Sequence, residues 1–313
     1  MNMILVTGGL GFIGSNFVRM FLLGKFPELK NSKVVVLDLQ TYAGKLSNLA
    51  EFIESKDLEI VIGDICDGVL VDGLVEKCDL IVHFAAESHV DRSITGPDVF
   101  VRTNVLGTNT LLRSASKWSK RILIVSTDEV YGSLENEDAT ESYPLHPSSP
   151  YSASKASSDL LGLAYFNTYG TDMIITRSAN NYGMNQDREK LIPLAITKIL
   201  ENQKIPVYGT GLNVRNWLHV EDHCNGIYAA LIRGKAGEIF NFGSTDYLKN
   251  LEICELLLDY AGKKYDELEF VSDRKGHDFR YGIDYEKACS QLGWKPEHKI
   301  SDSVAKLFEW YRL

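Results

Sequence analysis

An α/β fold built on a doubly wound parallel sheet is predicted by three observations on the 313-residue chain. Apolar strands alternate with helical patterns through the first half, a glycine-rich turn joins the first strand to the first helix, and an acid ends the second strand. The strands are read at Met3–Thr7, Lys33–Asp38, Leu58–Ile62, Leu80–Phe84, Ile122–Ser126 and Met173–Arg177. Their near-continuous apolar character suits strands covered on both faces. The turn TGGLGFIG spaces Gly8, Gly11 and Gly14 three residues apart and opens a helix over Ile13–Leu23, with Phe12 and Ile13 at its start. Such a loop lets backbone N–H groups approach a pyrophosphate at a helix N-terminus, the mark of a Rossmann-type dinucleotide site. Asp38, ending the second strand, is placed to accept from an adenosine ribose and to repel a 2′-phosphate, which favours NAD over NADP. Asp64 and Ile65 follow the third strand, where they can frame an adenine. Phe84, Ala85, Ala86 and Ser88 follow the fourth. The small alanines permit close cofactor approach and serve equally well as packing.

The bulk composition bounds the function. At 44% hydrophobic the chain can bury a large core, as one big domain or two interlocked ones. No apolar run approaches the ~20 residues needed to cross a bilayer, and the N-terminus has no signal-peptide profile. Five scattered cysteines, with no C-x-x-C pair, read as reduced thiols in a cytosol. A net charge of −9 argues against a nucleic-acid surface, though not against a small anionic ligand.

Two further stretches carry chemistry. In PSSPYSASKASSDLL, Tyr151 and Lys155 stand at i and i+4 on one helix face, behind good helix-starting residues Ser148, Ser149 and Pro150. A free tyrosine titrates near ~10, and a neighbouring ammonium favours its phenolate. Such a pair beside a nicotinamide can take a hydroxyl proton while hydride leaves the same carbon. In VSTDEVYG, the adjacent acids Asp128 and Glu129 follow Thr127 where a core strand ends. A polar turn explains them, and so does acid–base chemistry.

The glycine turn, Thr127 and the Tyr151–Lys155 pair together resemble the extended short-chain dehydrogenase/reductases. The resemblance implies that Thr127 orients a substrate hydroxyl, that Tyr151 is the base and Lys155 its partner, and that Asn104 is a structural asparagine on the central helix. Epimerases of that family usually carry small or uncharged residues after the Ser or Thr. Two acids there suit a 5,6-elimination instead: oxidation of a hexose at carbon 4 acidifies the carbon 5 proton, Glu129 removes it, and Asp128 protonates the leaving carbon 6 hydroxyl. Two close acids also discourage joint ionisation. Within the family the whole chain resembles the dTDP-glucose 4,6-dehydratases. The likeness rests on LQTYAGKLSNL (39–49), FAAESHVDRSI (84–94), STDEVYG (126–132), SSPYSASKASSDLL (148–161), RSANNYG (177–183), EKLIPL (189–194), PVYGTG (206–211), VRNWLHVEDH (214–223) and DRKGHDFRYGID (273–284).

That resemblance implies a lyase with internally recycled NAD, a dTDP-glucose substrate, and a place in deoxysugar biosynthesis, rhamnose included. It adds Thr103 and Asn181 to the cofactor contacts, Asn181 near the nicotinamide. It puts Ser88, Thr127 and Asn180 near the hexose; Lys190, Leu191, Pro206 and Tyr208 around the nucleoside; Arg215 and Asn250 at the diphosphate or nucleotide; and Asp273 to His277 closing over it. It implies interleaved domains: residues 1–178 with about 212–242 as the NAD-binding unit, and about 179–211 with 243–313 as a smaller α/β sugar-nucleotide unit. It implies a homodimer in which helices near 98–118 and 152–169 form a four-helix bundle; the apolar surface of DLLGLAYFNTY suits that and suits an internal core equally. His219 and His223, in HVEDH, read as structural, since no third ligand is evident and no metal is expected. The chain departs from the family pattern at Asn216, Lys45, Lys275 and MNQDR (184–188), all near cofactor or nucleotide contacts, which leaves UDP, CDP and GDP open beside dTDP. The rivals are a 4,6-dehydratase or 4-epimerase acting on another nucleotide sugar such as UDP-glucose, and a non-catalytic NAD-binding scaffold. The two acids count against the epimerase, and the full set of proton-handling groups counts against the scaffold.

Overall fold

The computed structural model describes residues 2–312. Its strands are β1 (Met3–Thr7), β2 (Lys33–Asp38), β3 (Leu58–Ile62), β4 (Leu80–His83), β5 (Arg121–Thr127), β6 (Met173–Ser178), β7 (Asn180–Tyr182), β8 (Ile205–Tyr208), β9 (Val214–His219), β10 (Ile239–Phe242), β11 (Tyr247–Lys249) and β12 (Leu268–Val271). Seven of them form one sheet in the order β10-β6-β5-β4-β1-β2-β3. Every pairing in it is parallel. The predicted doubly wound sheet is therefore present, and the six strands read from sequence are β1 to β6, with β5 longer by one residue at each end, β6 longer by one at its C-terminus and β4 shorter by one.

Strand periodicity explains the layers. Ile4, Val6, Val34, Val36, Val82, Leu123 and Val125 point into a core with helix Phe12–Leu22 and helix Val220–Arg233. Their chain neighbours Leu5, Val35, Leu37, Ile81, Ile122 and Ile124 point into the opposite core with helices Gly68–Lys77 and Thr108–Lys117. Successive side chains alternate faces, so a sheet sandwiched by helices needs apolar residues at every position. A third core gathers Ile192, Ile196, Ile205, Trp217, Ile253, Leu257, Leu307 and Phe308. It lies with the small sheet β11-β9-β7 and the pair β12-β8. Strand β9 serves two cores: Trp217 enters the third and Leu218 the first.

Two helices position the chemistry. Helix Pro150–Tyr169 starts at a capping box in which Ser149 and Ser152 satisfy each other's backbone N–H, with Pro150 at its first turn, and stops at Gly170 in the left-handed conformation (φ 66°). The second is the continuous stretch from Asp98 to Lys117, whose middle, Val101–Gly107, is π-helical. Asn104 lies in that π segment. Its Nδ2 donates to Glu87 O (3.0 Å) and Ser154 Oγ (2.8 Å), while its Oδ1 accepts from Glu87 N–H (2.9 Å).

Candidate active site

The winding direction of the sheet reverses between β1 and β4, and ligands of such sheets bind in the crevice this opens at the strands' carboxyl ends. The glycine turn sits in that crevice. Gly8 holds φ +71°, and a Cβ on it would lie 2.5 Å from Ala85 N; a Cβ on Gly14 would lie 2.3 Å from Gly8 O. Both are required by the protein's own packing. Gly11 differs: its backbone is extended (φ −75°, ψ 180°), and a Cβ there would meet only Gly8 O at 3.4 Å. It faces the groove, so its missing side chain leaves room for a ligand, and the first turn of helix Phe12–Leu22 offers N–H groups and carries no acidic residue. This cradle fits a dinucleotide pyrophosphate.

Asp38 is buried beside it. Its Oδ2 accepts from Leu10 N–H (3.0 Å) and its Oδ1 from Gln40 N–H (2.8 Å). Burial raises its pKa and those two N–H bonds oppose the rise. A carboxylate has about four acceptor sites, so capacity for ribose hydroxyls is left. Phe12, Ile13, Asp64, Ile65, Phe84, Ala85, Ala86, Ser88 and Thr103 line the same groove, as do Tyr151 and Lys155. Asn181 does not. Its Nδ2 donates to Ser178 Oγ (3.2 Å) and Ala179 O (2.9 Å), and its Oδ1 meets His223 Nδ1 at 2.9 Å, so the side chain braces the floor rather than facing the cofactor groove. Glu87, within the FAAES stretch, also lines the groove, as do Tyr42, Asn185, Gln186 and Asp187. The last three belong to the divergent MNQDR segment, which docks on the first helix through Asn16 Nδ2 to Met184 O (2.9 Å) and Asn185 Nδ2 to Ser15 Oγ (3.1 Å).

Beyond the groove, β5 delivers the proton-handling groups. Thr127 caps the single turn Asp128–Tyr131 by accepting from Glu129 N–H (3.3 Å), and its hydroxyl donates to Asp128 Oδ1 (3.2 Å). Tyr151 is buried. Burial, then the charge of Glu129, raises its phenol pKa, and a hydrogen bond from Thr127 opposes this. Lys155 is buried too; its Nζ donates to Val125 O (2.7 Å), and burial pulls it down to about 8 against the opposing charge of Asp159. The expected lowering of the phenol is not seen: burial raises Tyr151 above the ordinary tyrosine value, and the phenol keeps its proton.

The two acids separate electrostatically. Asp128 is 2% exposed, and its Oδ2 has no hydrogen-bond partner among the described residues. Burial first and the charge of Glu129 second push it up to about 8, with Arg215 opposing. Glu129 is also raised by burial, but Arg274, Lys190 and Arg215 all favour its ionised form. Both carboxyls therefore hold a proton more tightly than a free acid does, and the cationic cluster opposes this at Glu129.

The substrate-side residues divide. Lys190, whose Nζ donates to Ser88 O (3.1 Å), and Arg215 converge on Glu129. Arg215 spends three of its five N–H donors on the carbonyls of Val214 (2.8 Å), Asp278 (2.9 Å) and Phe279 (3.3 Å), and stacks on Tyr281 at 4.2 Å. Arg274 and Tyr281 complete this cluster and were not singled out from sequence. Asn180 keeps a buried Oδ1 without a protein partner. Tyr208, exposed at the end of β8, and Pro206 lie on the β8-β12 pair, and a Cβ on Gly209 would lie 2.7 Å from Asp273 Oδ2, so that pair and the 273–277 segment adjoin. His277 Nδ1 meets Asp273 Oδ1 at 2.6 Å. Asn250 opens a helix, its N–H bonded to Asn213 O (3.0 Å). Leu191 is partly buried and packs against the third core. Asn216, fully buried, donates to Ser244 O (2.7 Å) and accepts from Ser244 N–H (2.8 Å), a reciprocal pair that an aspartate could not make. His219 and His223 part company: His223 turns inward to Asn181, and His219 lies beside Glu221 and His298.

Known proteins bear the same architecture. The family model described as GDP-mannose 4,6 dehydratase matches residues 5–307. A dTDP-glucose 4,6-dehydratase of an Actinoplanes species is 48% identical over 99% of this chain and 97% of its own. The low-salt glycan biosynthesis protein Agl12 of Haloferax volcanii is 48% identical over 98% of both chains. The solved structure of DesIV, a dTDP-glucose 4,6-dehydratase from Streptomyces venezuelae with NAD and TYD bound, superposes with a TM-score of 0.97 at 50% identity, covering 99% of this chain and 97% of that one.

Proposed function

The chain belongs to the GDP-mannose 4,6 dehydratase family, and from that premise we infer that it is a hydro-lyase converting dTDP-glucose to dTDP-4-dehydro-6-deoxy-glucose with NAD as its cofactor. The observation that carries the reaction type is the pairing of two buried carboxyls, Asp128 and Glu129, both raised by burial, beside Thr127 and Tyr151 at the mouth of a dinucleotide groove.

Gly8, Gly11, Gly14 and Asp38 would hold NAD, which when bound supplies the hydride acceptor for carbon 4 and the donor for carbon 6. The remaining work falls to this chain's residues. Thr127 and Tyr151 hold the carbon 4 hydroxyl, and Tyr151 moves its proton. Lys155, anchored on Val125 O, places a positive charge beneath the site and balances the phenolate as it forms. Glu129, kept ionisable by Lys190, Arg215 and Arg274, takes the carbon 5 proton that the new ketone acidifies. Asp128 gives its proton to the carbon 6 oxygen as water leaves. Each such proton transfer contributes ~10²–10⁴-fold. Ser88 and Asn180 are the remaining hexose contacts. The residual donors of Arg215, together with Asn250 and the Asp273–His277 segment, form the diphosphate and nucleotide side.

The chain is further proposed to work as two units, residues 1–178 with about 212–242 holding NAD and the rest holding the sugar nucleotide; the third core supports the second unit, with Trp217 entering it from the first and Ile283, Ala288, Leu292 and Trp294 returning to the first core. A homodimer through a four-helix bundle is proposed on the exposed apolar residues Val101, Leu106 and Leu160 along the Asp98–Lys117 stretch and helix Pro150–Tyr169. A cytoplasmic role in deoxysugar synthesis, rhamnose included, completes the reading; five free cysteines suit a reducing compartment. Among the described residues no helix is long and apolar enough to cross a membrane.

The test is incubation with dTDP-glucose and with UDP-glucose separately, following the 4-keto sugar without added reductant. Turnover of dTDP-glucose at constant total NAD is expected. Stoichiometric release of free NADH, or preference for UDP-glucose, overturns the corresponding half of the reading.

A further inference from the structure

We propose that Arg92 and Glu189 form a clasp across the cofactor groove and set how fast NAD enters and leaves it. Two chain segments wall that groove: the loop after β2, with Tyr42 and Gly44, and the stretch after β7, with Gln186, Asp187 and Lys190. Each is pinned near its root. Lys45 N–H and Asn48 Nδ2 both donate to Leu10 O of the glycine turn (3.1 and 2.9 Å). The second stretch is held on the first helix through Asn16 and Asn185. Arg92, on the short helix Val90–Thr95, joins the two. Its guanidinium lies 3.7 Å from the centroid of the Tyr42 ring, and its Nη2 donates to both carboxylate oxygens of Glu189 (2.8 and 3.0 Å). His89 Nε2 meets the same carboxylate at 3.3 Å. Three segments distant in sequence thus meet at one side chain.

Neither Arg92 nor Glu189 lines the groove, so their influence on a cofactor runs through the walls they join. A tie that touches no ligand has the same strength whether the groove is filled or empty. It therefore alters rates of passage and leaves affinity nearly unchanged. The tie is a network rather than a lone surface pair, since the guanidinium covers an aromatic face while its carboxylate partner is shared with His89. A cation–π contact and an exposed ion pair together convert to roughly 5–30-fold in the rate of opening. The inference rests on the NAD reading of the groove and gives the clasp a use. Hydride taken from carbon 4 must return to carbon 6, so loss of the reduced cofactor midway would strand a 4-keto sugar.

The experiment chases holoenzyme carrying radiolabelled NAD with excess unlabelled NAD, sampled by rapid filtration, and measures Kd separately by equilibrium dialysis. Arg92→Gln should speed dissociation by roughly 5–30-fold while Kd changes by less than about threefold. Glu189→Gln should speed it less, because the stack on Tyr42 remains. The double variant should match Arg92→Gln, since both changes open one tie. Arg92→Lys, which keeps the charge, should fall between wild type and Arg92→Gln. Added salt should speed wild-type dissociation more than that of Arg92→Gln. The two side chains are 43% and 49% exposed, so each variant should unfold at the wild-type midpoint. Unchanged dissociation in Arg92→Gln overturns the clasp. So does faster dissociation matched by an equal loss of affinity, which would mark a direct contact with the cofactor. Failure of the wild-type protein to bind NAD overturns the groove reading and the clasp with it.

Discussion

Lys155 Nζ donates to Val125 O at 2.7 Å, tying the helix that carries Tyr151 to the strand that ends in Thr127. The ammonium is thereby fixed under the site, while the Tyr151 phenol, raised by burial and by Glu129, keeps its proton until a ligand changes the field around it.

Tyr151→Phe removes the hydroxyl proposed to move the carbon 4 hydroxyl proton. Single-turnover absorbance should then show no bound NADH after dTDP-glucose is added. Appearance of NADH at the wild-type rate would place the oxidation base elsewhere.

Glu129→Gln keeps shape and hydrogen bonding but removes the base that Lys190, Arg215 and Arg274 surround. Oxidation at carbon 4 should continue, trapping NADH and a 4-keto hexose, while dehydration falls by ~10²–10⁴-fold. Dehydration at the wild-type rate would reduce the acid pair to a polar turn.

Asp128 links chemistry to stability. Its folded pKa of about 8 lies above the ordinary 3.8, so below pH ~4 both states are protonated and no penalty arises. Between pH ~4 and 8 the unfolded chain loses a proton that the folded chain retains, and stability declines across that window. Asp128→Asn lacks this decline. Its unfolding midpoint with saturating NAD should match wild type near pH 4.5 and exceed it near pH 8, by on the order of a few kcal/mol in stability. The same variant should dehydrate slowly, and the alkaline fall in wild-type dehydration should centre near 8. Equal midpoints at both pH values would show that Asp128 is not held protonated.

Gly11 and Gly14 should respond differently to the same change. Gly11→Ala adds a Cβ that meets only Gly8 O at 3.4 Å, so the protein should fold normally and lose NAD affinity. Gly14→Ala drives a Cβ to 2.3 Å from Gly8 O and should destabilise the fold itself. Calorimetry of NAD binding beside thermal unfolding separates the two. Full NAD affinity in Gly11→Ala would mean that the pyrophosphate does not approach there.

Asp38→Ala should narrow the preference for NAD over NADP, measured as the ratio of their binding constants. An unchanged ratio would place the selecting group elsewhere, with Asp38 reduced to holding the Leu10 and Gln40 N–H groups.

The main sheet was legible except for β10, because its strands are apolar throughout and its first turn has a local physical signature. Strands β7 to β12 were not, most being short and paired across long separations, as Leu268 is with Ile205. The cofactor side was legible for the same local reasons. Arg274 and Tyr281 were missed because they lie in irregular chain after β12, where no periodicity points a side chain anywhere. Asn181 shows the limit of a motif: residue type transferred, but its amide points to Ser178, Ala179 and His223. The stacking partner of His219, His298, comes from the far end of the chain, where no local spacing points to it.

The π-helical turn Val101–Gly107 makes the chain unusually sensitive to length at one place. A π segment carries a surplus residue relative to an α-helix, so a single-residue deletion between Asn104 and Thr108 would give regular α-helical pairing. It would also rotate Asn104 by ~100° relative to the helix after it. The asparagine would swing away from Glu87 and Ser154, and with it would go the link between the loop lining the cofactor groove and the helix bearing Tyr151. A deletion that improves the helix would thus disconnect the site, and insertions and deletions here should be tolerated by folding long before they are tolerated by catalysis.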